Sequence, residues 1–398
     1  MNIKFKELAF FLIVFGVINS YAQQIKLPFE LSKDKKAIFI KLPMENQKDS
    51  LLFFFDTGAG TTLLDKKIAE KYNLKANYQT EVTGAGGKKL YDVMTNQKIF
   101  FDRNQFIDST NIVLDDLSRL NTSYEKKFDG IIGAAILTNY LTKIDFEAKT
   151  MNLYKPDDLI DSDGYEKIPF ELFSGIPKVR ITFELKNNEK FSGDVLFDSG
   201  ARLTLLVNTP YKEKNDLLNK IGEKVSYSSR NLSNNTNYNK GLIKSIQLGN
   251  TIIKNKNLGI SLSSDKQGVS SLDNLLGILG SEIINRFNFI LDYKNKNLYL
   301  KPNGLFFMDF EPLAKPISFE YSEDRNEIVV SNVMENTDAY KKELKKGQKI
   351  ISINNIVSKD IYTYDQLLRN NRKIILKYVD NNNNNNNQIK SVKIKLKN

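Results

Sequence analysis

Short apolar runs broken by turn residues fill the chain from Lys26 to Tyr154, and their spacing predicts strands more than helices. Ala37 to Leu42, apolar apart from Lys41, begins to alternate at its end and reads as a strand. Leu51-Leu52-Phe53-Phe54-Phe55 is continuously apolar and suits a strand covered on both faces, and Leu64 to Tyr72 has the pattern of a short helix. Glu81 to Leu90, with Gly84-Ala85-Gly86-Gly87 at its centre, reads as a tight hairpin; a phosphate cradle is the other reading, but no Gly-Lys-Ser/Thr and no helix follows.

The pattern then repeats. Leu27-Pro28-Phe29-Glu30-Leu31 is answered by Ile168-Pro169-Phe170-Glu171-Leu172, and Phe55-Asp56-Thr57-Gly58-Ala59 by Phe197-Asp198-Ser199-Gly200-Ala201. Thr62-Leu63-Leu64 pairs with Thr204-Leu205-Leu206, and Gly130-Ile131-Ile132-Gly133 with Gly277-Ile278-Leu279-Gly280. An Asp, a hydroxyl residue and a Gly in succession arise by chance at roughly one position in two thousand, so two copies with matching flanks define one duplicated unit. The predicted divisions are a leader over 1–22, a first unit over 23–157, a second over 158–302 and a third, different unit over 303–398. Asp157 to Gly164 lies at the first boundary and reads as a solvated linker; it lacks the ligand spacing of a calcium loop. In the second unit a serine- and asparagine-rich stretch, Ser228 to Asn239, stands where the first has its glycine hairpin, and a loop is expected there in place of that hairpin.

Composition narrows the chemistry. The chain has no Cys and no His, which removes thiol nucleophiles, Ser-His and Cys-His catalysis, disulfides and His- or thiolate-bound metals. Carboxylates, lysines, hydroxyls and tyrosines remain, and no Ser-x-x-Lys placed at a helix start points to a serine-lysine hydrolase. The net charge of +11 comes from lysines spread along the chain among many asparagines, so it reads as a solvated surface and not a nucleic-acid site.

The duplicated Asp-Thr/Ser-Gly-Ala, each copy followed by an apolar-apolar-Gly segment, resembles the pepsin and retropepsin group of aspartic peptidases, in particular bacterial aspartyl proteases with a C-terminal PDZ-like domain. The resemblance implies an all-β, bilobal acid-protease fold of two related barrel-like lobes about a pseudo-twofold axis, then a small PDZ-like α+β domain. It implies Asp56 and Asp198 as the catalytic pair, supported by Thr57, Gly58, Ala59, Ser199, Gly200 and Ala201, with no metal and no cofactor. Gly84, Ala85, Gly86 and Gly87 fall where the family has a mobile flap over the substrate. Ile131-Ile132-Gly133 and Ile278-Leu279-Gly280 read either as the support behind each catalytic loop or as ordinary buried strands. Arg202, where the first repeat has Gly60, is a departure; it would bind substrate or pair with a carboxylate such as Asp194.

The third unit carries Ala339 to Asn355, which resembles the PDZ signature of a short helix, a glycine turn and a strand, with Gln348 where Asp is usual and Asn355 in place of the final Gly. No Gly-Leu-Gly-Phe loop for carboxylate capture can be placed, so a peptide partner and a rigid appendage are both open. Tyr364 to Asn370 predicts a second helix, and Asn381 to Asn387 a hairpin loop between two strands. Met1 to Ala22, with an apolar run from Leu8 to Ile18, has the form of a cleaved signal peptide, placing the mature chain from Gln23 in the periplasm or medium without a membrane anchor. With both half-sites in one chain, the expected enzyme is a monomeric endopeptidase acting on polypeptide. The alternative is an inactive peptide-binding scaffold of the same fold.

Overall fold

The computed structural model describes residues 25–45, 49–84, 87–230, 235–313, 315–380 and 388–396. The leader, Ala85, Gly86 and the seven asparagines lie outside the described residues. The chain is mostly β, with few and short helices.

The first repeat contributes β1 (Ile25–Leu31), β2 (Ile38–Pro43), β3 (Ser50–Phe55), β4 (Thr62–Asp65), β5 (Tyr78–Gly84), β6 (Gly87–Phe100), β7 (Phe106–Asp115), β8 (Gly130–Ile132), β9 (Leu141–Asp145) and β10 (Thr150–Tyr154). The second contributes β11 (Glu166–Pro169), β12 (Glu171–Phe173), β13 (Ile176–Glu184), β14 (Lys190–Phe197), β15 (Leu205–Val207), β16 (Lys224–Arg230) and β17 (Asn235–Leu242). It continues with β18 (Ser245–Leu248), β19 (Thr251–Lys254), β20 (Gly259–Ser263), β21 (Gly277–Leu279), β22 (Phe287–Asp292) and β23 (Asn297–Pro302). The pairing order β2-β3-β8-β4-β7-β6-β5 is reproduced as β13-β14-β21-β15-β20-β17-β16, so the sequence duplication is a duplication of topology.

Alternation decides which face each strand buries. In β3, Phe53 and Phe55 enter a large core shared by both repeats, while Phe54 joins a second cluster with Phe39, Ala59, Leu63, Tyr124 and Phe128. The continuous apolar run is thus covered on both sides, as a strand with a parallel neighbour requires. The matched prolines mark where a strand changes partners. β1 pairs with β10 as far as Pro28 and with β2 from Phe29; after Pro169 the second copy splits into β11, on β23, and β12, on β13. Proline has no N–H to continue a ladder, which makes it the natural break.

The repeats meet in one continuous sheet through β9 and β22, with Ile144 opposite Phe289 and Thr142 opposite Leu291. These are corresponding positions exchanged, as a twofold axis between the two strands demands.

One expectation is corrected here. The described residues of Ser228 to Asn239 are not an open loop: β16 and β17 pair in register through Tyr227↔Tyr238 to Arg230↔Asn235, at the position β5 and β6 occupy in the first repeat, with 231–234 outside the described residues. The ladder runs through backbone groups, so polar residues suffice once the stacked rings of Tyr227 and Tyr238, 6.1 Å apart, fix the register.

The C-terminal unit is an antiparallel sheet of β24 (Ile317–Tyr321), β25 (Ile328–Val333), β26 (Lys349–Ile353), β27 (Lys373–Asp380) and β28 (Gln388–Lys395), with helices Asp338–Lys341 and Ile361–Asn370. It has its own core around the fully buried Tyr364, which meets Phe319 edge to face at 5.8 Å. Asn355 has φ +62°, a left-handed conformation that asparagine tolerates where a glycine is usual.

Candidate active site

Two loops leave the parallel strand pairs β3–β8 and β14–β21 and turn at once. The Asp56 N–H donates to the Ile132 carbonyl at 2.9 Å and the Asp198 N–H to Leu279 at 3.0 Å, so each aspartate is fixed by the strand behind it. Each loop is then held from below: Ala134 N–H donates to Ala59 at 2.9 Å, and Ser281 N–H to Ala201 at 2.8 Å. The glycine ending each apolar-apolar-Gly segment permits this contact. A Cβ on Gly133 would lie 1.9 Å from the Asp56 carbonyl oxygen, and one on Gly280 2.4 Å from that of Ala201. The two segments are therefore close backbone supports of the loops, which the bland reading as buried strands does not require.

The loops interlock across the repeat boundary. The Thr57 N–H donates to Ser199 Oγ at 3.0 Å, the Ser199 N–H to Thr57 Oγ1 at 2.9 Å, and the Thr57 hydroxyl to the Phe197 carbonyl at 2.6 Å. Both side chains are buried. Each glycine lies against the opposite aspartate: a Cβ on Gly58 would fall 2.4 Å from Asp198 Cγ, and one on Gly200 2.3 Å from Asp56 Cγ. Only glycine leaves room for the two carboxyls to meet.

They do meet, sharing a hydrogen bond. Gly58 N–H donates to Asp56 Oδ1 at 2.7 Å; Gly200 N–H reaches Asp56 Oδ1 at 3.1 Å and Asp198 Oδ1 at 2.9 Å; Ala201 N–H donates to Asp198 Oδ1 at 3.0 Å. The amides thus converge on Oδ1 of each residue. Protein surrounding the pair raises both pKa values. For Asp56 burial is joined by the charge and hydrogen bond of Asp198, opposed by the Gly58 and Gly200 amides, and the rise is large. For Asp198 burial is opposed by its hydrogen bonds to Asp56, Ala201 and Gly200, and the rise is smaller. Two carboxyls in contact cannot both ionise readily, so one proton is shared between them at moderate pH.

Gly84 and Gly87 pair at the end of the β5–β6 hairpin, with Ala85 and Gly86 outside the described residues. Tyr91 and Val93, at its base, pack in the same cluster as Ala59, which ties the hairpin to the Asp56 loop.

Arg202 does not pair with Asp194, whose cations are Arg180 at 3.4 Å and Lys178 at 3.9 Å. Chain reversal after β1 instead carries Asp34 to it: Arg202 Nη2 donates to Asp34 Oδ2, Nη1 donates to the Ser123 carbonyl at 2.7 Å, and the guanidinium lies 4.6 Å from the centre of the Tyr124 ring. Burial alone would raise the Asp34 pKa, but the charges of Arg202 and Lys36 hold it well below the usual carboxylate range. Where the second repeat has this ion pair, the first has only Gly60, whose added Cβ would lie 3.0 Å from the Ser174 carbonyl. Asp34, Ser123 and Tyr124 are marked by no motif or spacing in the sequence.

Residues 43–136, within the first repeat, match the family model described as aspartyl protease, which supports an aspartyl protease family for this chain. No curated protein matches it.

Proposed function

We propose that the chain is an exported aspartic endopeptidase in which Asp56 and Asp198 activate water against a peptide carbonyl. The observation that carries this reading is the contact of the two carboxyls across a symmetric pair of glycine loops. With the shared proton on Asp56, Asp198 takes a proton from the water as its oxygen attacks the carbonyl carbon, and Asp56 donates its proton to the carbonyl oxygen. In the tetrahedral intermediate the carboxyls have exchanged roles. Asp198 then protonates the departing amine, Asp56 takes back the hydroxyl proton, and the C–N bond breaks.

The substrate on this reading is an extended polypeptide lying between the repeats and covered by the β5–β6 hairpin, held by backbone hydrogen bonds as a strand would be. The second hairpin, β16–β17, removes one reason for reading the chain as an inactive scaffold, since both halves keep this element. The PDZ-like resemblance of the third unit supports a role in presenting substrate, and the leader supports action outside the cytoplasm.

The test uses the chain from Gln23 with a mixture of unfolded proteins between about pH 3 and about pH 8, the span over which a coupled carboxyl pair titrates. Cleavage mapped by mass spectrometry is expected for the natural sequence and lost in Asp56→Asn and in Asp198→Asn. Binding of peptides without cleavage at any pH, by folded protein, would assign the chain to a scaffold instead.

A further inference from the structure

Residues 121–125 join the helix Ser118–Asn121 to the approach of β8 and are held from two sides. On the inner side, Tyr124 is buried among Phe39, Phe54 and Phe128, its ring 5.2 Å from that of Phe128 and 5.4 Å from that of Phe54. Arg202, four residues beyond Asp198, lies against the Tyr124 ring and binds the Ser123 carbonyl. Tyr124 shares its cluster with Phe54 and Ala59, which lie two residues before and three residues after Asp56, and burial pushes its pKa up to about 12 with Arg202 acting against this.

On the outer side, the same segment is held by the C-terminal unit. Tyr321 N–H, at the end of β24, donates to the Thr122 carbonyl at 2.9 Å. Arg325 spans the segment, Nη1 donating to the Asn121 carbonyl and Nη2 to that of Glu125 at 2.9 Å, with its guanidinium 4.2 Å from the Tyr321 ring centre. A further pair, Lys33 to Asp360 at 2.7 Å, ties the unit to the hairpin that carries Asp34. The carbonyls of Asn121, Thr122, Ser123 and Glu125 thus all accept bonds from elsewhere in the chain. Local bonds and the aromatic cluster hold the segment from within, as in Tyr124 N–H to the Asn121 carbonyl, and these contacts from other parts of the chain fix its outer carbonyls and so help set where Tyr124 stands.

We infer that the C-terminal unit is a positioning element of the cleft: Arg325 and the Tyr321 N–H set residues 121–125, and through them Tyr124, packed with Phe54 and Ala59 around Asp56, and Arg202, just beyond Asp198. The inference rests on the peptidase reading of that site. Docking of the third unit is then part of the competent enzyme, beyond any capture of substrate by that unit. Arg325 is suited to this because its planar fork reaches two carbonyls at once, which a lysine ammonium on a flexible stem does not reproduce.

The test compares full-length wild type, Arg325→Ala and Arg325→Lys by steady-state cleavage across pH and by hydrogen exchange of residues 121–125. Arg325→Ala is expected to exchange faster at 121–125, to lose about tenfold in kcat with KM changed by less than about twofold, and to shift the pH profile, on the scale of a modest misplacement near reacting groups. Arg325→Lys should recover less than half of the loss, and it serves alone if the alanine variant does not fold. Faster exchange with unchanged kcat and pH profile, or unchanged exchange, overturns the inference while leaving the peptidase reading intact. A wild type without turnover sinks that reading instead. The same variants are then titrated with a peptide carrying a hydroxymethylene in place of the scissile carbonyl: roughly tenfold weaker binding to Arg325→Ala upholds the positioning role, and equal binding, or none to wild type, ends it.

Discussion

Thr57 and Ser199 exchange backbone-to-hydroxyl hydrogen bonds across the repeat boundary, at 3.0 and 2.9 Å, in a buried setting. Each hydroxyl is the acceptor for the other loop's amide, so neither loop can shift without leaving a buried N–H unpaired. Thr57→Val keeps the shape and removes this acceptor together with the donor to the Phe197 carbonyl. The expected cost is about 2–4 kcal/mol, measured by denaturant melts, with cleavage down at least about tenfold. Thr57→Ser, which keeps the hydroxyl, should stay within about 1 kcal/mol of wild type.

The dyad opposes folding at neutral pH. Because Asp56 has a raised pKa in the folded chain, the native state binds more protons than the unfolded one between the unfolded value, about 4, and its own higher value. Stability attributable to this group is therefore present in acid and lost as pH rises. Asp56→Asn should abolish cleavage yet raise stability near pH 7 by about 1–3 kcal/mol, an advantage that fades toward pH 4. Thermal melts at both pH values check the sign.

Asp34 behaves in the opposite sense. Its folded pKa is depressed despite burial, by Arg202 and Lys36, so its contribution is present above about pH 4 and lost as pH falls toward the folded value. Arg202→Ala leaves this carboxylate buried and short of a partner, and should destabilise the fold by about 3–5 kcal/mol at pH 7. The difference from wild type should shrink below pH 4 as Asp34 protonates. Urea midpoints at pH 7 and pH 3 measure both effects.

Much of this was legible along the chain because duplication leaves a record in one dimension. The two Asp-hydroxyl-Gly-Ala loops, the apolar-apolar-Gly supports and the matched prolines each reflect a local demand: a tight turn, a backbone contact or a missing N–H. The absence of histidine and cysteine likewise narrowed the chemistry to carboxylates, lysines, hydroxyls and tyrosines before any geometry was known. Side-chain pattern was a poorer guide in the polar hairpin of β16 and β17, since its ladder is made by the backbone and leaves no apolar alternation to read.

Other features exist only once the chain is folded. Nothing in the sequence joins Arg202 to Asp34, Ser123 to Arg202, or Arg325 to the carbonyls of Asn121 and Glu125, pairs separated by 79 to 204 positions with no repeat to signal them. The sequence by itself determined the repeated strands, the loops and the two candidate aspartates, because those follow from short-range backbone and burial requirements. Tertiary structure alone decided that the glycines let the carboxyls touch, that Arg202 is held by Asp34, and that the C-terminal unit grips the segment beside the dyad. Such contacts depend on where separate elements pack, and charge and hydrogen-bond partners are chosen by that packing and not by spacing along the chain.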